Sequence, residues 1–236
     1  MNRRFVNAVK LVFLVQWRAR FPQVYIGFAI AVVVAFRFFI PREYIGWLLP
    51  ALLFGDPGSL SVFMVAAYRY LERGENSITG LMVTPLSSAE YVMALVVGSA
   101  IAPTVGGAVI MAGVMGIDGA TLLVIPPLFL TAVISGCIGL MVSAYFAEFV
   151  NFLLGSIPVV TAYSLPFLSF FGLAPENAFR WIPSDASLSA FRILAEGGSG
   201  TAYVGFTVLL VGFAVLFSFA TLRVFETRVR EQLEFV

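Results

Sequence analysis

Residues that could do chemistry are few in this chain, and what is missing decides more than what is present. The 236 residues contain no histidine and a single cysteine, Cys137, which sits inside an apolar run. Imidazole acid–base catalysis, a Ser-His-Asp triad and a His or Cys metal site therefore have no residues to be built from. With one cysteine a disulfide within the chain is excluded, and a lone buried thiol reads as packing. The one lysine is Lys10, in Asn7-Ala8-Val9-Lys10-Leu11, with no glycine ahead of it. A P-loop needs glycine amides to cradle phosphate and a lysine directly behind them, so ATP is not bound by that route. The carboxylates are scattered over separate loops, with no close pair on one helix face.

Two polar features survive this elimination. Asp56, in Phe54-Gly55-Asp56-Pro57-Gly58-Ser59, falls within an apolar run. An ionised carboxylate inside a membrane is costly and marks a functional or paired site. The other reading is a local Asp-Pro-Gly break in which Asp56 caps the following turn. Arg37 is either its partner or a side chain snorkelling to the surface.

The second feature is a polar island from Tyr68 through Glu90. Glu72, Arg73, Gly74 and Glu75 carry an apolar helix into charge, with Gly74 available to turn the chain. Ser77 and Thr79 open a short apolar piece, Ile78, Leu81, Met82 and Val83, which Thr84-Pro85 closes ahead of Leu86. Ser87-Ser88-Ala89-Glu90 reads as a capping box, Ser87 as the cap and Glu90 three residues on. The expected result is a short helix parallel to a membrane, presented rigidly by the elements on either side.

The rest of the chain says what those elements are. Hydrophobic residues make up 60%, charged residues 11%, and the mean hydropathy is +0.98, against about 25% charged in a typical soluble domain. Six stretches reach the roughly 20 apolar residues that a spanning helix needs: 22–40, 47–67, 91–115, 120–146, 149–172 and 202–222. Barrel strands alternate in polarity, whereas 203–220 is apolar on every face, so the fold class is all-α. Residues 1–236 form one membrane domain: an N-terminal interfacial helix over 1–21, six transmembrane helices within 22–222, and a tail over 223–236. With six spans, ten of the 14 basic residues fall on the side of both termini and the island. Basic loops stay cytoplasmic, which places both termini and the island there.

At the N-terminus, Arg3, Asn7, Lys10 and Arg18 share one helical face, interrupted by Leu14, while Phe5, Val6, Val9, Val12 and Phe13 cover the other. That pattern fits a helix lying in the headgroup layer, and the bases continue too far for a cleavable signal peptide. Glycines at 98, 106, 107, 113, 116, 136 and 139 lie in apolar spans, where small residues let helices approach closely. Between residues 173 and 200, Phe179, Trp181, Ile182, Leu188, Phe191, Ile193 and Leu194, with the helix-start signal Ser184-Asp185, predict short helices dipping into the outer leaflet as an ordered cap. Gly197-Gly198-Ser199-Gly200 reads as a hinge.

Glu72-Arg73-Gly74-Glu75, Leu81-Met82-Val83-Thr84-Pro85-Leu86-Ser87 and Glu90-Tyr91 together resemble the Glu-Arg-x-x-Gly-Thr, Leu-Leu-Val-Thr-Pro-Leu-Ser and Glu-Tyr pattern of permease subunits of ABC-2 type exporters. The expected architecture is similar along the whole chain: an interfacial helix, six spans, this loop between spans two and three, and outer re-entrant helices between five and six. The chain departs from the pattern where glycine directly follows Glu72-Arg73, where Asn76-Ser77-Ile78 replaces the common Thr-Leu-Glu, and in lacking the lysine that often follows Glu-Tyr. The resemblance implies a transport subunit of a bacterial or archaeal plasma membrane with no ATPase site and no bound cofactor of its own. ATP and Mg would be held by separate ABC ATPase subunits, and a second permease chain, identical or not, would complete the complex. It further implies that 72–87 is a coupling helix seated on the ATPase and that the turn 145–151, with Glu148, makes a second contact. Small permeases of this kind are often assigned to drug export. A phenylalanine-rich pathway, with 24 Phe in the chain, suits a lipophilic or amphiphilic cargo. Export of a lipid-linked polysaccharide, a cation route past Asp56, and a channel or assembly role without ATP are the alternatives. Membrane lipid is the expected surrounding, and no nucleic-acid partner is expected.

Overall fold

Backbone groups buried in hydrocarbon must be paired within their own segment, and the apolar stretches of this chain satisfy that by coiling. The computed structural model describes residues 2–55, 59–74, 87–117, 119–175, 177–198 and 200–234. Among the described residues there are helices and no strands. In chain order the helices are α1 (Asn2–Arg18), α2 (Phe21–Phe39), α3 (Arg42–Leu53), α4 (Ser59–Gly74), α5 (Ser88–Met115), α6 (Gly119–Leu123), α7 (Ile125–Ser143), α8 (Phe149–Tyr163), α9 (Pro166–Phe170), α10 (Pro183–Ala195) and α11 (Thr201–Glu234).

Four stretches are long and apolar enough to cross a membrane: Phe21–Phe39, Ser88–Met115, Thr121–Ser143 and Thr201–Thr227. They correspond to the first, third, fourth and sixth expected spans. The second, 47–67, is divided between α3 and α4, and the fifth, 149–172, between α8 and α9. Proline explains the latter division. Pro166 has no amide to continue the ladder, so the chain turns at Ser164-Leu165 and α9 restarts with the Phe167 amide donating to the Ser164 carbonyl at 3.0 Å. Large apolar side chains lie on the outside of the bundle, with Val24, Phe28, Val34 and Phe38 exposed on α2 and Val204, Val208, Val215 and Phe219 exposed on α11. Apolar surface this extensive marks a contact region rather than a water-facing one. With the long apolar helices, it describes a multi-pass α-helical membrane protein.

The core is organised around α7, whose residues are buried without a break from Thr131 to Leu140, with α4, α5, α10 and α11 packed around it. Lipid tails are as apolar as leucine, so helices in a membrane associate through close packing and cross-helix hydrogen bonds rather than through hydrophobic burial. The glycines supply that closeness. A Cβ at Gly139 would lie 2.8 Å from the Val62 Cα and nearer still to the Val62 carbonyl oxygen, so the α4 and α7 backbones meet there. Along α5, Gly98 receives Val12 of α1, Gly106 the ring of Tyr25, and Gly113 the Val33 side chain of α2. The chain between α1 and α2 bends at Arg20, which has a positive φ of 65°.

Three elements differ from expectation in instructive ways. α1 is seated on α5 as well as amphipathic: Val12 and Gln16 are buried, and Gln16 Nε2 donates to Ser99 Oγ at 2.6 Å. Arg3, Lys10 and Arg18 remain exposed. α10 begins at Pro183 with Ile182 in the capping position and no side-chain cap. Ser184 is buried there and donates to the Tyr163 carbonyl, and α10 packs on α3, α7 and α11. The anticipated outer cap is thus part of the core. α11 runs to Glu234, so the expected tail from residue 223 is helical up to that point.

Gly139→Ala is expected to lower the thermal unfolding midpoint in detergent, because overpacking at a backbone contact costs about 1–3 kcal/mol. Gly212→Ala, with nothing within 4 Å of its Cβ position, should leave the midpoint unchanged.

Candidate functional site

The basic residues predicted to share one side of a membrane belong to chain segments that converge at one end of the bundle. α4 ends there, α5 begins there, the turn from α7 to α8 lies there, and the Tyr91 ring meets Phe225 of α11 at 5.8 Å. Ser87 caps α5 as expected: its Oγ accepts from the Glu90 amide at 3.2 Å, while Glu90 Oε2 accepts from the Ser87 amide at 3.1 Å. Two otherwise unpaired amides of the first turn are satisfied reciprocally, which fixes the direction in which the chain enters α5.

On the other side of the island, α4 is fastened to α7 and α8. Arg69 is buried, at 7% exposure, and donates to Ser143 Oγ at 2.9 Å. Ser143 is the last residue of α7 and its hydroxyl donates back to the Leu140 carbonyl at 2.9 Å. A guanidinium at the carbonyl end of a helix is favoured by the helix dipole. One residue on, the Tyr70 hydroxyl donates to the Phe146 carbonyl at 3.0 Å, and the Tyr70 ring lies 5.6 Å from that of Phe149 and 6.0 Å from that of Phe152. The stretch Tyr145–Asn151 is therefore attached to α4 through the Phe146 carbonyl and the Phe149 ring. Within it Glu148 is exposed, occupies the residue before α8, and accepts from Asn151 Nδ2 at 3.2 Å.

The expected site residues divide accordingly. Glu72, Arg73 and Gly74 form the last turn of α4. Ser87 and Glu90 make the cap, and Glu148 lies on the turn held by Tyr70. Glu75, Leu81, Thr84, Pro85 and Leu86 lie outside the described residues, as does Asp56. Arg37, considered as a partner for Asp56 or as a snorkelling side chain, donates from Nε to the Gly113 carbonyl at 2.8 Å, near the end of α5. Arg69, Tyr70 and Ser143 were missed by sequence reasoning. The available signal was Arg69 itself, a base one turn inside the apolar part of α4, where a charge needs a partner.

Hydroxyls form a second polar feature, across the middle of the bundle. Thr131 and Ser187 Oγ atoms are 2.7 Å apart, and Ser135 Oγ donates to the Tyr163 hydroxyl at 3.4 Å. The Phe54 ring, two residues before Asp56, lies 5.4 Å from that of Tyr163 and 5.2 Å from that of Phe167. Ser61 is fully buried and its Oγ has no hydrogen-bond partner among the described residues. Among the described residues no group of three His, Cys, Asp or Glu side chains gathers. At the opposite end from the island, Arg180, Asp185, Ser189 and Arg192 line a small cleft. Burial pushes the Asp185 carboxyl up, and the Arg180 guanidinium opposes that shift.

No protein-family model matches this chain, and no curated protein does either.

Tyr70→Phe removes the hydroxyl that holds the Phe146 carbonyl. A net hydrogen bond is worth about 0.5–1.5 kcal/mol, so amide hydrogen exchange over 145–151 should accelerate about two- to tenfold, measured by mass spectrometry.

Proposed function

We propose that this chain is the transmembrane permease subunit of an ABC-2 type exporter. It sits in a bacterial or archaeal plasma membrane with both termini in the cytoplasm, and moves a lipophilic or amphiphilic, drug-like molecule outwards. It pairs with a second permease chain and is driven by separate ATPase subunits that bind ATP and Mg. The observation that carries this reading is the fastening of α4 to the α7–α8 turn through Arg69–Ser143 and Tyr70–Phe146. It joins the island, which bears the Thr84-Pro85-Leu86-Ser87 run, to the turn bearing Glu148, so a push delivered to either is shared by both. ATP-driven closure of the partners would favour one arrangement of the spans and hydrolysis would restore the other, a population shift between two packings.

The seam of buried hydroxyls around Thr131, Ser135, Tyr163 and Ser187 supports a second reading, a cation route past Asp56 in the same kind of complex. A channel or assembly protein would use the same seam without an ATPase.

Co-purification separates these readings. Recovery of an ATPase subunit with the tagged chain is expected, and recovery of none would favour the channel. In the reconstituted complex, Glu72→Ala or Arg73→Ala should reduce substrate-stimulated ATP hydrolysis about ten- to a hundredfold, the loss of a charged contact worth about 1.5–3 kcal/mol. Unchanged hydrolysis would sink the coupling role of the island.

A further inference from the structure

At the end of the bundle away from the island, a cleft of about 680 Å³ opens between the end of α2, the start of α3, the end of α5 and the last residue of α10. Phe36, Ile40, Ile45, Val114 and Met115 give it apolar walls, and Arg37, Arg42 and Glu43 bring three charges to it. None of the three is in an ion pair among the described residues, where Arg192–Glu196 is the pair present. Arg37 spends only its Nε, on the Gly113 carbonyl at 2.8 Å, so its two terminal amino groups have no partner among the described residues. Gly46 adds space, since nothing lies within 4 Å of its Cβ position. Around the cleft, Phe38, Phe39, Tyr44 and Trp47 are exposed, and exposed aromatics at the end of a span mark the headgroup layer.

We infer that this cleft binds the headgroup of a zwitterionic aminophospholipid, its phosphate on Arg37 and Arg42 and its ammonium on Glu43. Guanidinium forks match phosphate oxygens in geometry and charge. Two of them without a carboxylate would select any anionic lipid. Glu43 changes the selection, because it repels a second negative group and accepts hydrogen bonds from a primary ammonium. The apolar walls take the upper part of the acyl chains, which separates this site from one for free phosphate. The inference does not rest on the transport reading.

Native mass spectrometry of the purified chain, titrated with phosphatidylethanolamine or phosphatidylglycerol, tests it. The unmodified protein should retain one ethanolamine lipid about tenfold more strongly than the glycerol lipid, the effect of one charged hydrogen bond. Glu43→Gln should abolish that preference, and Arg42→Gln should weaken both lipids. Gly46→Leu, which fills the cleft without touching a charge, should displace them, and an unchanged unfolding midpoint in each variant confirms that the fold is intact. Equal retention of the two lipids by the unmodified protein, or a preference that survives Glu43→Gln, would overturn the assignment. Displacement of the lipid by millimolar inorganic phosphate would also overturn it, by showing a phosphate site instead.

Discussion

Hydrocarbon gives no reward for hiding one leucine behind another, so a bundle of this composition needs contacts closer than lipid can make. Here that requirement falls on α7. Gly139 allows the Val62 backbone of α4 to come into direct contact, and Gly136 leaves room for Ser61 and Val65 one turn away. α7 is enclosed by its neighbours over its middle turns. The same device recurs on α5, where Gly98, Gly106 and Gly113 form a groove for α1 and α2. α1 therefore owes its place less to amphipathicity than to Val12, which fits the gap that Gly98 leaves, and to Gln16, which bonds to Ser99.

Closeness also determines where polar groups can be tolerated. Thr104, Thr131 and Thr221 return their hydroxyls to a carbonyl four residues earlier in their own helices, which satisfies the donor at little structural cost. Cross-helix bonds pair Thr131 with Ser187 of α10, Ser184 with the last residue of α8, Gln16 with Ser99 and Arg69 with Ser143. Each joins elements far apart in sequence. A buried polar group costs about 1–3 kcal/mol when left without a partner, so such bonds specify which helices meet rather than merely adding stability.

Much of this was legible in the sequence. Uninterrupted apolar length located the four long helices, because lipid imposes the same minimum on any chain. The Ser87–Glu90 box was readable since its chemistry is local. The division of the fifth span was harder: hydropathy averages over Pro166, whereas a helix is interrupted by one missing donor. The buried face of α10 was hidden for another reason. Its serines look like surface residues until Thr131 and the Tyr163 carbonyl come within reach. Arg69 looked like one more base of the island. Its burial depends on Ser143, 74 residues away, and no local pattern carries that information.

The placement of α3 and α4 bears on how the two readings of Asp56 differ. α4 is locked to α7 by Gly139 and by Arg69, while α3 packs on α10 and sets Phe54 against Tyr163 and Phe167. Asp56 thus lies in the sequence that links two helices with different principal partners. A cap there would only direct the chain from one to the other. The other reading rests on cost: an ionised carboxylate within an apolar stretch is retained where function requires it, and the two helices that flank it in sequence hold to different neighbours, α4 to α7 and α3 to α10.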